Sequence, residues 1–195
     1  MNPLRFSLKP FPGEGNGPDV KITGRVARMA GTLSLECALL GNLSTIAIPE
    51  PCASPGRKDR LWEETCLEVF LGESGSERYW EFNLSPARDW NVYRFPSYRK
   101  EKLEELAFTA LPFRIRTEPE ALRLSLDLGL EKIIPADSAI EVGVCAVLRT
   151  VTGARSHWAL AHPAPRPDFH RRNGFTLKIP PGGTCTRIGI RGGPK

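Results

Sequence analysis

An all-β chain folded as two packed antiparallel sheets, a β-sandwich, is what the sequence predicts, and three observations carry that reading. Apolar and polar residues alternate with period two in segment after segment, which places alternate side chains on opposite faces of a strand. Clusters of Gly, Pro, Asn, Asp and Ser punctuate these segments at short intervals, and the chain holds 18 prolines and 18 glycines. No segment carries the 3.6-residue periodicity of an amphipathic helix.

In chain order, Val20–Val26 and Thr32–Leu39 alternate around a turn at Gly31 and predict a hairpin. Residues 46–60 are rich in proline and charge and predict a loop. Three alternating segments follow: Thr65–Leu71, Tyr79–Ser85 and Asp89–Phe95, separated by GESGSE and SPARD turns, which predict a β-meander. Tyr98–Leu106 is charged and reads as a short helical turn or an irregular edge. Pro112–Arg116 and Leu122–Leu128 form a second hairpin around Pro119-Glu120, with Leu122, Leu124, Leu126 and Leu128 inward and Arg123, Ser125 and Asp127 outward. Ile140–Leu148 and His157–Ala161 are strands, HPAPRPDFHRRNG is a loop, and Phe175–Ile179 closes the fold. Residues 1–186 are expected to form one domain and 187–195 a loose tail.

Composition narrows the function. Apolar residues at 41% and charged residues at 25% suit a soluble globular protein whose core needs no metal or disulfide. The net charge of +5 is dispersed, with no dense basic block of the kind that marks a nucleic-acid binder. No apolar run reaches membrane-spanning length. The N-terminus lacks a basic start followed by an apolar run, and the five cysteines are scattered without a Cys-x-x-Cys. Free thiols in the cytoplasm are therefore expected, export of a precursor being the other reading.

Leu61–Phe95 holds three of the four tryptophans. One face of its meander, with Leu67, Val69, Leu71, Trp80, Phe82 and Leu84, is apolar and is assigned to the core. The other carries Glu64, Cys66, Glu68 and Phe70, then Tyr79, Glu81 and Asn83. Either Asn91 and Tyr93 or Trp90, Val92 and Arg94 extend this second face. Rings beside carboxylates and amides are what a sugar requires, with stacking on its C–H faces and bidentate bonds to its hydroxyls.

The run WEETCLEVFLG, then YWEFNLSPARDWNVYRF, and later HWALAHPAPRPDFHRRNGFTL, resembles the DOMON-like domains related to family 9 carbohydrate-binding modules, over Leu61–Ile179. The resemblance implies a jelly-roll β-sandwich that binds a sugar or, in other branches, haem, and it brings no catalytic machinery. Calcium in that family is held by acidic residues, often an Asp pair, where this chain has Glu63-Glu64. Haem there is held by a Met and a His, which would require Met29. Two tryptophans clamp the sugar, and Trp62, Trp90 and Trp158 are the candidates here.

His157, His162 and His170 lie close together but match no zinc spacing, and are assigned to hydrogen bonds around the PDFH loop. No Gly-x-Ser-x-Gly is present, and GEGNG precedes no strand-to-helix turn. Glu64 and Glu68 would stand about 13 Å apart on an extended strand, too far for a glycosidase pair, whereas Glu68 and Glu81 could approach across strands. The expectation is a non-catalytic binder of a small carbohydrate on an open sheet face. Its site comprises Trp62, Glu64, Glu68, Glu81, Asn83, Trp90, Asn91 and Tyr93, with His157, Trp158, Asp168 and His170 at the edge, and it uses no cofactor. A protein-interaction module without a small ligand is the alternative, and a haem-binding domain the third.

Overall fold

Alternating segments such as Val20–Met29 and Thr32–Gly41 become strands because each has one face to bury, and among the described residues thirteen strands in two sheets satisfy that demand. A computed structural model describes residues 2–14 and 17–181. Its strands are β1 (Leu4–Ser7), β2 (Lys9–Pro10), β3 (Val20–Met29), β4 (Thr32–Gly41), β5 (Cys66–Glu73), β6 (Tyr79–Leu84) and β7 (Trp90–Phe95). They continue as β8 (Leu103–Glu104), β9 (Phe113–Glu118), β10 (Ala121–Gly129), β11 (Ile140–Arg149), β12 (Arg155–Ala159) and β13 (Leu177–Ile179). Three short 3-10 turns are the only helical elements among the described residues.

One sheet has five strands in the order β1-β3-β4-β10-β9; the other has eight, β2-β12-β11-β5-β6-β7-β8, with β13 also paired to β11. The expected meander is β5-β6-β7, and both expected hairpins form, β3-β4 and β9-β10. Ala30 and Gly31 take the first hairpin's turn at φ 48° and 82°, the left-handed pair that a tight two-residue turn demands. Sequence order does not reveal the long-range pairings β4-β10 and β5-β11, which give each sheet its centre. Tyr98–Leu106 resolves to an irregular edge carrying β8. The expected tail, Arg187–Lys195, and Cys185 lie outside the described residues.

Register fixes the core. Val69 faces Phe82, Leu71 faces Trp80 and Leu67 faces Leu84, and their inward faces meet Ile22, Val26, Leu35, Leu124 and Leu126 of the opposite sheet. Each large side chain buried there contributes roughly 1.5–3 kcal/mol, so a one-residue slip of β6 would forfeit several such contributions at once. Trp80 belongs to this core, as its alternation with Phe82 and Leu84 implied.

The eight-stranded sheet is also covered on its outer side. Phe70, Tyr79, Tyr93, Phe95, Cys145, Ala159 and Phe175 form a second apolar cluster there. This corrects the expectation of an open, solvated meander face: Glu68, Glu81, Asn83, Asn91 and Tyr93 are all buried. The cover consists of residues 96–102, a strap after β7, and residues 163–175, the proline-rich loop before β13. Arg172 pins the far end of that loop, donating to the carbonyls of Ser76, Arg78 and Glu73 and to Glu141. Its guanidinium lies against Gly72, where any Cβ would collide with it.

Candidate functional site

Strap and loop are joined by one carboxylate. Asp168 accepts hydrogen bonds from the Tyr98 hydroxyl at 2.6 Å, Arg99 at 2.9 Å, Arg171 at 3.1 Å and the His170 amide at 3.2 Å. Burial works to raise its pKa, but the bonds from Tyr98 and Arg99 outweigh that and hold it below the usual aspartate range. Asp168 is thus a clasp in the roof rather than a wall of a binding site.

Beneath the clasp, Tyr79 and Phe95 stack at 4.8 Å with rings nearly parallel, and the His170 ring stands edge-on to Phe95 and Phe70. The Arg99 amide donates to the Tyr79 oxygen (3.1 Å), so the Tyr79 hydroxyl is free to donate to His170 Nδ1 (2.8 Å). That order makes Nδ1 an acceptor and leaves the proton on Nε2, which lies 3.7 Å from Glu81 Oε2. Burial, aided by the Arg99 charge, pushes the His170 pKa down to about 3, so the imidazole is neutral and its contact with Glu81 is no ion pair. The Tyr79 phenol is pushed up to about 12, chiefly by burial.

What the roof leaves open is a pocket of ≈ 470 Å³. Glu68 of β5, Glu81 of β6 and Val147 of β11 form its base, and Trp62, Phe95 and Phe169 supply its rings. Arg99, Lys102, Arg155 and His157 line it as well. Trp62 comes from the 3-10 turn Leu61–Glu63 and packs edge-on against Tyr93 at 6.0 Å. Lys102 Nζ stands 4.8 Å from the Trp62 ring centre and 4.5 Å from that of Tyr93, a cation–π contact that holds both rings.

The two carboxyls differ in their partners. Glu81 accepts a bond from Asn83 Nδ2 at 2.7 Å. Among the described residues, nothing hydrogen-bonds to the Glu68 carboxyl, although the residue is only 4% exposed. Desolvation and the nearby Glu81 push the Glu68 pKa well above the usual range, with Arg99 opposing. Glu81 is also raised by burial, against the pull of Asn83, Lys102 and Arg99. Burial thus favours the protonated form of Glu68, which can both donate and accept at the base of the cavity.

Of the residues the sequence singled out, the structure brings Trp62, Glu68, Glu81, His157 and His170 to this pocket. Asn83, Asn91 and Tyr93 share the same sheet face but serve as its foundation. Asn83 steadies Glu81, and the Tyr93 hydroxyl donates to Asp59. Asn91 accepts from Arg57 and donates to the Lys58 carbonyl, Tyr93 and Glu104. Glu64 is paired with Arg149 at the end of β11. Trp90 and Trp158 are not on this face. Trp90 pairs across strands with Leu84 and Trp158 with Ala146, so parity turns both indoles into the inter-sheet core. Trp90 is capped there by the Arg57 guanidinium at 4.5 Å, and Trp158 donates to Ser156.

Missed from the sequence were Phe95, Arg99, Lys102, Phe169 and Arg155. Phe169 stands between two candidates, Asp168 and His170, and that adjacency was the available signal. Arg99 and Lys102 lay in a segment whose only legible property was charge. His157 Nδ1 lies 2.6 Å from Glu14, and His162 Nε2 bonds the Lys9 carbonyl, so both tie the N-terminal segment to the sheet. Glu63 and Glu64, at the place where the resemblance puts calcium, are each engaged by an arginine, Arg60 and Arg149. Among the described residues no three His, Cys, Asp or Glu are grouped as metal ligands. This donor set does not fit calcium. Met29 lies at the exposed end of β3 in the five-stranded sheet, whereas His170 lies in the loop that covers the eight-stranded one, so the two do not face one haem.

No family model matches the chain, and no curated protein matches it by sequence. Solved structures do match it. A Bacteroides uniformis protein proposed to bind carbohydrate superposes with a TM-score of 0.66 at 14% identity, over 88% of this chain and 84% of its own. A family 9 carbohydrate-binding module from Caldicellulosiruptor kristjanssonii, in complex with glucose, gives 0.56 at 11% identity over 90% and 83%. The cellotriose complex of a family 9 module from the same organism gives 0.55 at 11% identity over 92% and 84%. Likeness at this identity speaks to architecture, and the chain has the β-sandwich fold of family 9 carbohydrate-binding modules.

Proposed function

We propose that the chain binds a small carbohydrate in the pocket between Trp62, Phe169, Glu68 and Glu81 and does not transform it. The observation that carries the reading is the Glu68 carboxyl, which lines the base of a ring-walled cavity without a hydrogen-bond partner among the described residues and whose pKa burial raises. That carboxyl faces the cavity rather than being sealed away, so a sugar hydroxyl that both donates and accepts can reach it. Trp62 and Phe169 offer flat surfaces for the C–H faces of a pyranose, and Arg99 offers donors to its oxygens. A cavity of ≈ 470 Å³ suits a mono- or disaccharide. The complexes of the similar modules with glucose and cellotriose support the same class of ligand.

Hydrolysis would require one carboxyl to stay ionised opposite the other. Burial raises both Glu68 and Glu81, which suits them to hydrogen bonding instead. A recessed pocket also favours a small ligand over the flat docking face of a protein-interaction module.

Tryptophan fluorescence tests the reading. Trp80, Trp90 and Trp158 are buried in the core, whereas Trp62 is half-exposed at the pocket. Titration with glucose, galactose, mannose, cellobiose and cellotriose is expected to give a saturable change with at least one sugar, absent in Trp62→Phe. No change with any sugar, or one that survives Trp62→Phe unaltered, contradicts the assignment.

A further inference from the structure

The arginines that looked scattered along the chain are gathered by the five-stranded sheet. Its outer face carries a trough of ≈ 750 Å³ lined by Arg5, Arg25, Arg114, Arg116 and Arg123, one or two from each strand except β4. The floor between them is small: Thr23, Gly24, Ala38 and Ser125. We propose that this trough binds an acidic polysaccharide, a polymer of uronic acids laid across the strands, at a site separate from the pocket on the other sheet.

Two features of the face point to an anionic occupant. Arg5 stands directly opposite Arg25, and Arg116 directly opposite Arg123, in the strand register. Like charges in cross-strand pairs destabilise a sheet, so this face carries a cost that an added anion would relieve. The available protein carboxylates cover part of it. Glu36 takes Arg25, at 2.9 and 2.6 Å, and Glu118 is shared by Arg116 at 3.4 Å and Arg123 at 3.1 Å. Two carboxylates thus serve three of the five guanidinium groups, and Arg5 and Arg114 form no ion pair among the described residues. They mark the two sides of the sheet, four strand spacings or about 19 Å apart.

The charged residues could be read as edge protection, since β1 and β9 are edge strands. Arg25 and Arg123 are on interior strands, however, and edge protection gives no reason for every one of the five to be arginine rather than lysine. Arginine's planar fork grips carboxylates in bidentate fashion. The Arg25–Glu36 pair displays that grip within the trough, with Glu36 in the place a ligand carboxylate would take. Single-stranded nucleic acid fits less well, because such sites stack bases on aromatic rings. The one aromatic at this trough is Phe6, whose ring is buried beneath Gly24.

Affinity electrophoresis of the intact chain through gels containing polygalacturonate, fully methyl-esterified polygalacturonate or polythymidylate tests the proposal. Retardation is expected by polygalacturonate alone, weakening as salt is raised. Arg114→Gln combined with Arg116→Gln, on an exposed edge, should weaken it about tenfold. Glu36→Gln, which frees Arg25, should strengthen it. Both variants should keep the Trp62 fluorescence response to sugar, and Trp62→Phe should leave the retardation unchanged, which separates this site from the pocket. Equal retardation by the methyl ester or by polythymidylate overturns the proposal. So does the absence of retardation, or a Glu36→Gln variant that binds no better than wild type.

Discussion

Protonating His170 should be among the first events that loosen the roof as pH falls. The neutral imidazole accepts from Tyr79 and is surrounded by Phe70, Phe95 and the Arg99 charge, which together hold its pKa at about 3 against 6.5 in a free chain. The sign follows from proton binding. Between those two values the unfolded chain carries the proton and the folded one does not, so stability falls as pH drops from about 6.5 toward about 3. One pKa unit corresponds to about 1.4 kcal/mol, so the loss is about 2 kcal/mol by pH 5 and approaches about 5 kcal/mol as a ceiling near pH 3. The perturbation is His170→Asn, whose side-chain oxygen can replace Nδ1 as the acceptor for Tyr79 but cannot titrate. The assay is urea unfolding of wild type and variant at a series of pH values from 7 to 4. The difference between them should shrink as pH falls, in favour of the variant, by about 2 kcal/mol at pH 5. Parallel profiles would mean that His170 takes up its proton as freely as in an unfolded chain, and would refute the closed roof.

Glu68→Gln should act in the opposite direction. Because the folded Glu68 pKa is raised, the folded chain keeps a proton that the unfolded chain releases, so wild-type stability falls as pH climbs above the ordinary carboxylate range. The variant removes that penalty, and its gain in melting temperature should grow from pH 4 to 7; a constant difference counts against a raised Glu68 pKa. Asp168→Asn should open the clasp formed with Tyr98, Arg99 and Arg171, costing about 1–3 kcal/mol. Hydrogen exchange should then quicken in residues 96–102 and 163–175 while β5 and β6 stay protected; unchanged exchange in the roof contradicts the clasp. Phe82→Ala, at the centre of the inter-sheet core, should cost about 3–5 kcal/mol in urea unfolding, and a loss below 1 kcal/mol would contradict its placement.

Strand positions and inward faces were legible because alternation is local. Leu67, Val69 and Leu71 opposite Leu84, Phe82 and Trp80 needed only a parity count within two neighbouring segments. Parity also left open which residues of β7 face outward, and the cross-strand pairs Glu81–Tyr93 and Asn83–Asn91 settle it in favour of Asn91 and Tyr93. The covering of that outer face was not legible. A loop such as HPAPRPDFHRRNG has no periodicity, so nothing in its composition reports that Asp168 reaches Tyr98 and Arg99 seventy positions back along the chain. For the same reason a solvated sheet face was expected where a roofed pocket exists. Trp90 and Trp158 misled because an aromatic is as suited to a core as to a sugar, and only the register with Leu84 and Ala146 separates the two. The arginine trough was invisible for a related reason: its five members come from four strands that meet only through β4-β10 pairing.

Isothermal titration of wild type and Glu68→Ala with the sugar that most perturbs Trp62 fluorescence tests the central claim most directly. The account predicts a single saccharide per chain for wild type and binding at least about tenfold weaker for the variant, the loss expected when a buried hydrogen-bonding partner of the ligand is deleted. Undiminished binding by Glu68→Ala, or no heat with wild type for any sugar of the panel, would contradict a carbohydrate site built on that carboxyl.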